Sequence, residues 1–257
     1  MSPPSRILLA GLEFDALTGH EVVRRVIAAS EHGEGGWVVT PNVDILRATR
    51  RVPRLRALVS GASVVVPDGT PLLWAARLRG RPLAERVTGA SLIWSLSEAA
   101  AGSGRSVYLL GGEPGVPERA AAALRARYPA LIVAGTEAPP VGFDATEEGV
   151  ERVRSVMAAA APDIVFCGLG FPKQERLIAE LAPRLPAAWF VGCGAAIPFA
   201  AGVRRRAPAW MQAGGLEWLH RLASEPRRLF GRYILRDLPF ALWLLATCAL
   251  ARLVPRR

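Results

Sequence analysis

Cysteine and histidine are both scarce in this chain of 257 residues, with three of each. Cys167, Cys193 and Cys248 are widely spaced, odd in number and set in apolar runs. That excludes a disulfide framework and argues against a thiolate zinc site; they read as buried free thiols in a reducing compartment. His20, His32 and His220 stand apart from acids and cysteines, which leaves little support for a metal centre or for histidine-based nucleophilic catalysis. Lysine occurs once, at Lys173. Phosphate-binding fingerprints are missing as well. No G-x-x-x-x-G-K-[ST] occurs, Leu110-Gly111-Gly112-Glu113-Pro114-Gly115 lacks the spacing G-x-G-x-x-G, and Gly168-Leu169-Gly170 lacks the third glycine and a ribose-binding acid. A P-loop is excluded and a dinucleotide oxidoreductase is disfavoured. The chain has no Asp-x-Asp pair, which weakens a metal-dependent sugar-nucleotide site. The apolar part of the N-terminal segment 1–11 is too short for a signal peptide.

What is present is unevenly distributed. Half of the chain is hydrophobic (51%), apolar for a soluble enzyme yet short of a multi-span membrane protein. The net charge is +10, and most of it lies after Gly202. There, eleven Arg against Glu217, Glu225 and Asp237 leave a balance of +8, whereas the first 201 residues carry only +2. The body is near neutral and the tail is cationic. We therefore divide the chain into a main domain, 1–201, and an appendage, 202–257.

Read in order, short apolar runs alternate with helical patterns. Strands are expected at Arg6–Leu12 (turning through Glu13-Phe14-Asp15), Trp37–Val39, Ser63–Val66, Val107–Leu110, Leu131–Ala134, Asp163–Cys167 and Trp189–Val191. Thr18 and Glu21 have capping-box spacing. Thr40 suits the cap of a helix with Pro41 in its first turn. Further helices are expected from Ser91 to Ala101 with a stop at Gly102, from Pro117 to Arg127, from Thr146 to about Ala160, and up to Leu185. The repeated alternation predicts an α/β fold, a mostly parallel sheet with helices on both faces. In the tail, Ser224-Glu225-Pro226 marks a new helix start, with Arg228 and Arg232 four apart on one face. Leu238–Ala251 holds fourteen residues without a charge, fewer than the roughly 20 of a spanning helix. An interfacial helix on an anionic leaflet fits it better; a buried terminal helix is the alternative.

Ligands in such folds bind beyond the carboxyl ends of the strands. Those ends carry Thr40 and Asn42, Asp68, Gly111-Gly112 and Gln174, with Arg86 some twenty residues after Asp68. Polar groups of this kind beside a cationic, apolar tail suit a phosphorylated or nucleotide-linked small molecule meeting a membrane-borne partner. Plainer roles stay open at this point: helix caps for Asp68, Thr40 and Gln174, a tight turn for Gly111-Gly112, and a surface ion pair with Glu85 or Glu113 for Arg86.

Six motifs in order carry a resemblance: Thr40-Pro41-Asn42, Pro67-Asp68-Gly69, Glu85-Arg86-Val87-Thr88-Gly89, Leu109-Leu110-Gly111-Gly112, Gly168–Glu175 and Gly215-Leu216-Glu217-Trp218. Over about Leu8 to Tyr233 the chain resembles the WecG/TagA/CpsF glycosyltransferases. It departs from them in a Pro-rich segment, Glu137-Ala138-Pro139-Pro140. The resemblance implies a Rossmann-like core with a C-terminal appendage. It also implies inverting transfer of an N-acetylmannosamine-type or glucose-type sugar from a UDP-sugar to a polyprenyl-diphosphate-linked saccharide, without a metal or other cofactor. By the same resemblance Asp68 is the general base. Thr40 and Asn42 bind the sugar or position the acceptor, and Arg86 meets the UDP leaving group. Gln174 and Gly111-Gly112 belong to substrate binding, and Arg221, Arg228 and Arg232 grip the lipid diphosphate. The expected location is the cytoplasmic face of the membrane, peripherally bound. A Rossmann-type oxidoreductase or methyltransferase and a nucleic-acid-binding module are the rival classes.

Overall fold

The structure, a computed structural model, describes residues 5–253. Chain entry differs from the expected single strand. Ala10 and Gly11 take positive φ angles (47° and 91°), and the turn they make splits the segment into a hairpin, β1 (Arg6–Leu9) and β2 (Leu12–Asp15). Glu13-Phe14-Asp15 is thus strand, not turn. Thr18 then caps α1 (Gly19–Glu31) in a complete capping box with Glu21.

Six parallel strands form the sheet: β3 (Gly36–Val39), β4 (Val64–Val65), β5 (Ser106–Leu110), β6 (Ile132–Glu137), β7 (Ile164–Cys167) and β8 (Trp189–Gly192). Their spatial order is β4-β3-β8-β7-β5-β6. The connecting helices are α2 (Val43–Arg51), α3 (Pro53–Ser60), α4 (Thr70–Leu78), α5 (Gly89–Ser103), α6 (Val116–Arg127), α7 (Glu147–Ala160), α8 (Lys173–Leu181) and α9 (Ala196–Ala200). α5 runs through Gly102 and stops at Gly104, whose left-handed conformation (φ 68°) forms its C-cap. A glycine that keeps helical φ does not end a helix; one in the left-handed region does.

Successive side chains of a strand point to opposite faces. Val39, Val65, Tyr108, Val165 and Phe190 accordingly pack on one face with α2, α3, α4, α7 and α8. Val38, Val64, Val107, Phe166 and Val191 pack on the other with α1, α5, α6 and α9. The hairpin covers the short edge strand: buried Asp15 accepts a hydrogen bond from the Val65 N–H at 2.8 Å, a donor the sheet leaves without a strand partner. All three cysteines are buried and free.

After Gly202 the chain is helical: α10 (Ala209–Ala213), α11 (Glu217–Ser224), α12 (Pro226–Arg232) and α13 (Leu238–Leu253). A π-helical turn, Tyr233–Asp237, joins the last two. Pro226–Arg252 is consequently one continuous helix of 27 residues, long and apolar enough to cross a membrane by length and composition. The uncharged run is shorter than the helix that contains it, because Arg227, Arg228, Arg232, Arg236 and Asp237 lie in its first three turns. Ala241, Leu244 and Cys248 are buried, with Leu244 and Cys248 in the core cluster that includes α4. Leu235, Leu238, Leu242 and Leu250 are exposed.

Candidate active site

The loops after β3 and β4 are fixed to each other first. Val66 N–H donates to the Val39 carbonyl and Asp68 N–H to the Pro41 carbonyl (2.9 Å), while Val87 N–H donates to the Pro67 carbonyl (2.9 Å). These backbone bonds place Asp68, Asn42 and Arg86 at one end of the sheet. Asp68 does not cap the following helix: the cap position of α4 is Gly69, with no side-chain hydrogen bond. Thr40 does not cap α2 either. Asn42 does, its Oδ1 accepting from Ile45 N–H at 3.1 Å, because the helix starts at Val43, two residues later than Pro41 suggested. Thr40 is buried and is not among the residues that line the cleft.

The cleft has a volume of about 410 Å³, within the range of small-molecule sites. Asn42, Asp44, Asp68, Arg86 and Thr88 line it from the body, and Glu217, Arg221, Arg232 and Asp237 from the appendage. Apolar side chains line it as well: Trp74 of α4 with Leu216, Trp218, Tyr233, Leu238 and Leu242 of the appendage.

Arg86 is not a partner of Glu85 or Glu113. Glu85 accepts from Gly19 N–H at the start of α1 (2.9 Å). Arg86 reaches Glu217 Oε2 at 3.2 Å and Asp68 Oδ1 at 3.9 Å, and it donates to the Gln212 carbonyl. The other oxygen of Glu217 is held by Arg206 Nε at 3.2 Å, and Arg206 Nη2 donates to Thr88 Oγ1 at 3.2 Å. Burial opposes the charge of Glu217, but Arg206 and Arg86 outweigh it and hold the carboxyl below its ordinary range. Asp68 keeps 30% of its side chain open to the cleft. Even so, burial pushes its pKa up to about 6, against the pull of Arg86 and with the charge of Glu217 adding to the rise.

Of the three arginines expected together, Arg221 and Arg232 line the cleft. Arg228 is turned to Glu225 at 2.6 Å on the exposed side. Arg232 meets Asp44 at 3.0 Å and Asp237 at 3.7 Å. Arg47, buried, joins the same two acids, with its Nε 3.1 Å from Asp237.

Gly111-Gly112 and Gln174 stand further along the same sheet edge. β5 leads outward to β6 while β7 leads back to β8, so the loops after β5 and β7 flank a topological switch point, the place where open α/β sheets bind ligands. Those loops touch: a Cβ on Gly111 (φ 113°) would lie 2.8 Å from the backbone of Gly168. Gln174 is buried, and its Oε1 accepts from Gly170 N–H and Gly194 N–H, both at 3.1 Å, while its Nε2 donates to Glu175. It stitches the loop after β7 to the loop after β8, and Cys193 and Ala195 of that second loop, with Ala196 of α9, line the cleft. Among the described residues no three His, Cys, Asp or Glu side chains gather as metal ligands.

Sequence reasoning missed Arg206 and Glu217. The signal was there: Glu217 is one of only three acids in a segment with eleven arginines, inside a motif already singled out.

The sequence model of the Glycosyl transferase WecG/TagA/CpsF family matches residues 7–253. Among curated relatives, an N-acetylglucosaminyldiphosphoundecaprenol N-acetyl-beta-D-mannosaminyltransferase of Bacillus spizizenii is 30% identical over 198 residues, 77% of this chain and 75% of the relative. A protein of the same name from Staphylococcus aureus (strain MW2) is 28% identical over 247 residues, 95% of this chain and 94% of the relative.

Proposed function

Since the chain belongs to the Glycosyl transferase WecG/TagA/CpsF family and is a glycosyltransferase, we propose that it transfers N-acetylmannosamine from a UDP-linked donor to an N-acetylglucosaminyl-diphosphate-polyprenol, with inversion. Family membership sets aside the oxidoreductase, methyltransferase and nucleic-acid readings. The observation that carries the proposal is the composition of this cleft: a raised-pKa carboxylate and arginines together with tryptophans and leucines. A sugar diphosphate with a lipid tail needs both.

In the proposed reaction the acceptor hydroxyl oxygen attacks the anomeric carbon on the face opposite the nucleotide. Asp68 takes the hydroxyl proton, and the bond to UDP breaks with its electron pair leaving on the diphosphate. A carboxylate with a pKa near 6 is ionised at neutral pH yet basic enough to accept that proton in the transition state. Arg86 faces the leaving oxygen, where negative charge develops. Asn42 keeps its amide nitrogen free of the cap bond and orients the acceptor, and Thr40 supports the same loop. The donor nucleotide lies against Gly111-Gly112, with Gln174 holding the neighbouring loops in place. Arg221 and Arg232 neutralise the acceptor diphosphate, and Arg228, on the outer side, meets lipid headgroups instead. We assign no metal to the reaction, because arginines supply the positive charge that a metal supplies elsewhere.

The long apolar helix supports association with a membrane, and we place the enzyme peripherally on the cytoplasmic face. The test is turnover of a panel of UDP-sugars with a short-chain prenyl-diphosphate N-acetylglucosamine. UDP-N-acetylmannosamine is the expected donor. Asp68→Asn should lower kcat by about 100-fold or more, the range of general-base contributions, while UDP still binds. A mutant at the wild-type rate rejects Asp68 as the base.

A further inference from the structure

Asp68 and Glu217 are two carboxylates facing one guanidinium. Arg86 is 3.2 Å from Glu217 and 3.9 Å from Asp68, so it is hydrogen-bonded to the first and merely near the second. Glu217 could not hold this position alone. It is largely buried, and a second cation, Arg206, sits on its other oxygen at 3.2 Å. Arg206 is itself anchored to the body through Thr88 and Ser91. The chain also brings the appendage close here: Gly215 (φ 72°) lies so near α4 that a Cβ would stand 2.4 Å from Thr70 Oγ1, and Glu217 follows two residues later.

We propose that Glu217 is a positioning residue: it holds Arg86 away from Asp68 and so keeps the carboxylate free to act as the base. Without it, no other carboxylate holds Arg86 off Asp68, and only the Gln212 carbonyl still binds the guanidinium. The guanidinium then closes the remaining distance and forms a full ion pair, in which the carboxylate is a poorer proton acceptor. The inference rests on Asp68 being the base. Other charged groups set the background: Arg206, on Glu217, from the segment before α10, and, lining the cleft, Arg221 from α11, Asp44 from α2, and Arg232 and Asp237 from the long helix. The last three pair among themselves.

The coupling has a sign that a merely structural role lacks. Glu217→Gln, of the same shape, removes a negative charge that raises the Asp68 pKa and releases Arg86 towards it. The acid limb of the pH profile of kcat/KM should move to lower pH by roughly half a unit, the scale of one charge across a cleft, with a lower plateau. Arg206→Gln removes a cation that lowers the Asp68 pKa and should move the limb to higher pH. Loss of packing alone would move both in the same direction or neither. An acid limb unmoved in Glu217→Gln, or moved upward, overturns the proposal. If that variant does not fold, Glu217→Asp keeps the charge but sets it back from Arg86. A lower plateau with a smaller downward shift is then expected, and an unchanged profile overturns the proposal. Failure of the base assignment is read separately, as wild-type turnover by Asp68→Asn.

Discussion

Asp68 carries a charge that folding opposes. Its pKa rises from 3.8 to about 6 in the folded chain, so the fold binds the proton more tightly than the unfolded chain does. The stability this contributes is fully present below pH 3.8 and is lost as pH rises through 6. At pH 7.5 the ionised carboxylate costs the fold on the order of 3 kcal/mol. Asp68→Asn is therefore expected to raise the thermal midpoint at pH 7.5 while abolishing transfer, and the gain should shrink as the pH is lowered to 4. Unfolding curves of the two proteins at both pH values test this; a lower midpoint for the variant at pH 7.5 contradicts it. The same group predicts that kcat/KM falls on the acid side with an apparent pKa near 6. Asn42 and Asp68 were legible in the sequence because each closely follows a strand end, and Arg86, between α4 and α5, because it stands in a recognisable motif. Glu217 was not. Its partner Arg86 lies 131 residues away, and no local pattern pairs residues across that distance.

At the scale of elements, the long helix is held by two kinds of contact. Apolar burial at Leu244 and Cys248 fixes α13 against the body, and Arg47 with Asp44, Arg232 and Asp237 fixes its π-helical turn to α2. Burial makes Asp237 reluctant to ionise, and Asp44 adds to that, so Arg47 and Arg232 together keep the pair of acids compatible. Arg47→Ala should destabilise the protein by about 3 kcal/mol, as breaking one side of a buried ion pair does. It should also speed proteolysis within the 226–252 helix. Denaturant unfolding and limited proteolysis measure the two effects, and an unchanged cleavage rate would show that the apolar contacts suffice. The helix itself was readable only in part. Its uncharged residues and its start at Pro226 were visible, but its length was not, because charged residues that pair with the body look the same in sequence as residues that face water.

The whole molecule presents two surfaces, a near-neutral body and a basic, leucine-rich flank. Leu235, Leu238 and Leu242 are exposed on that flank, the last two also lining the cleft, and exposed apolar clusters of this kind mark contact surfaces. Replacing all three by Ser should abolish flotation with anionic vesicles while changing stability by less than about 1 kcal/mol, since they contribute little to the core. Wild-type flotation should weaken as salt rises; flotation of the triple variant at the wild-type level would remove this flank from membrane binding. Dialysis against a chelator is expected to leave turnover unchanged, and a rate restored only by added divalent cation would refute the assignment of no metal. The α/β class was legible because strand and helix periods alternate so regularly. The hairpin was missed because its turn, Ala10-Gly11, lies inside an apolar run.

The strand order β4-β3-β8-β7-β5-β6 has a consequence for the chain during synthesis. β8, the last strand to be made, is the one that lies between β3 and β7. Until residue 192 has left the ribosome, the sheet exists as two unconnected halves, each with an apolar inner edge open to other chains. Pairings over such long sequence separations form slowly, and the catalytic cleft waits longer still, for Glu217 and the helix after it. This enzyme therefore passes through an extended aggregation-prone interval before it can have any activity, and its yield in cells should depend on chaperones more than its final stability would suggest.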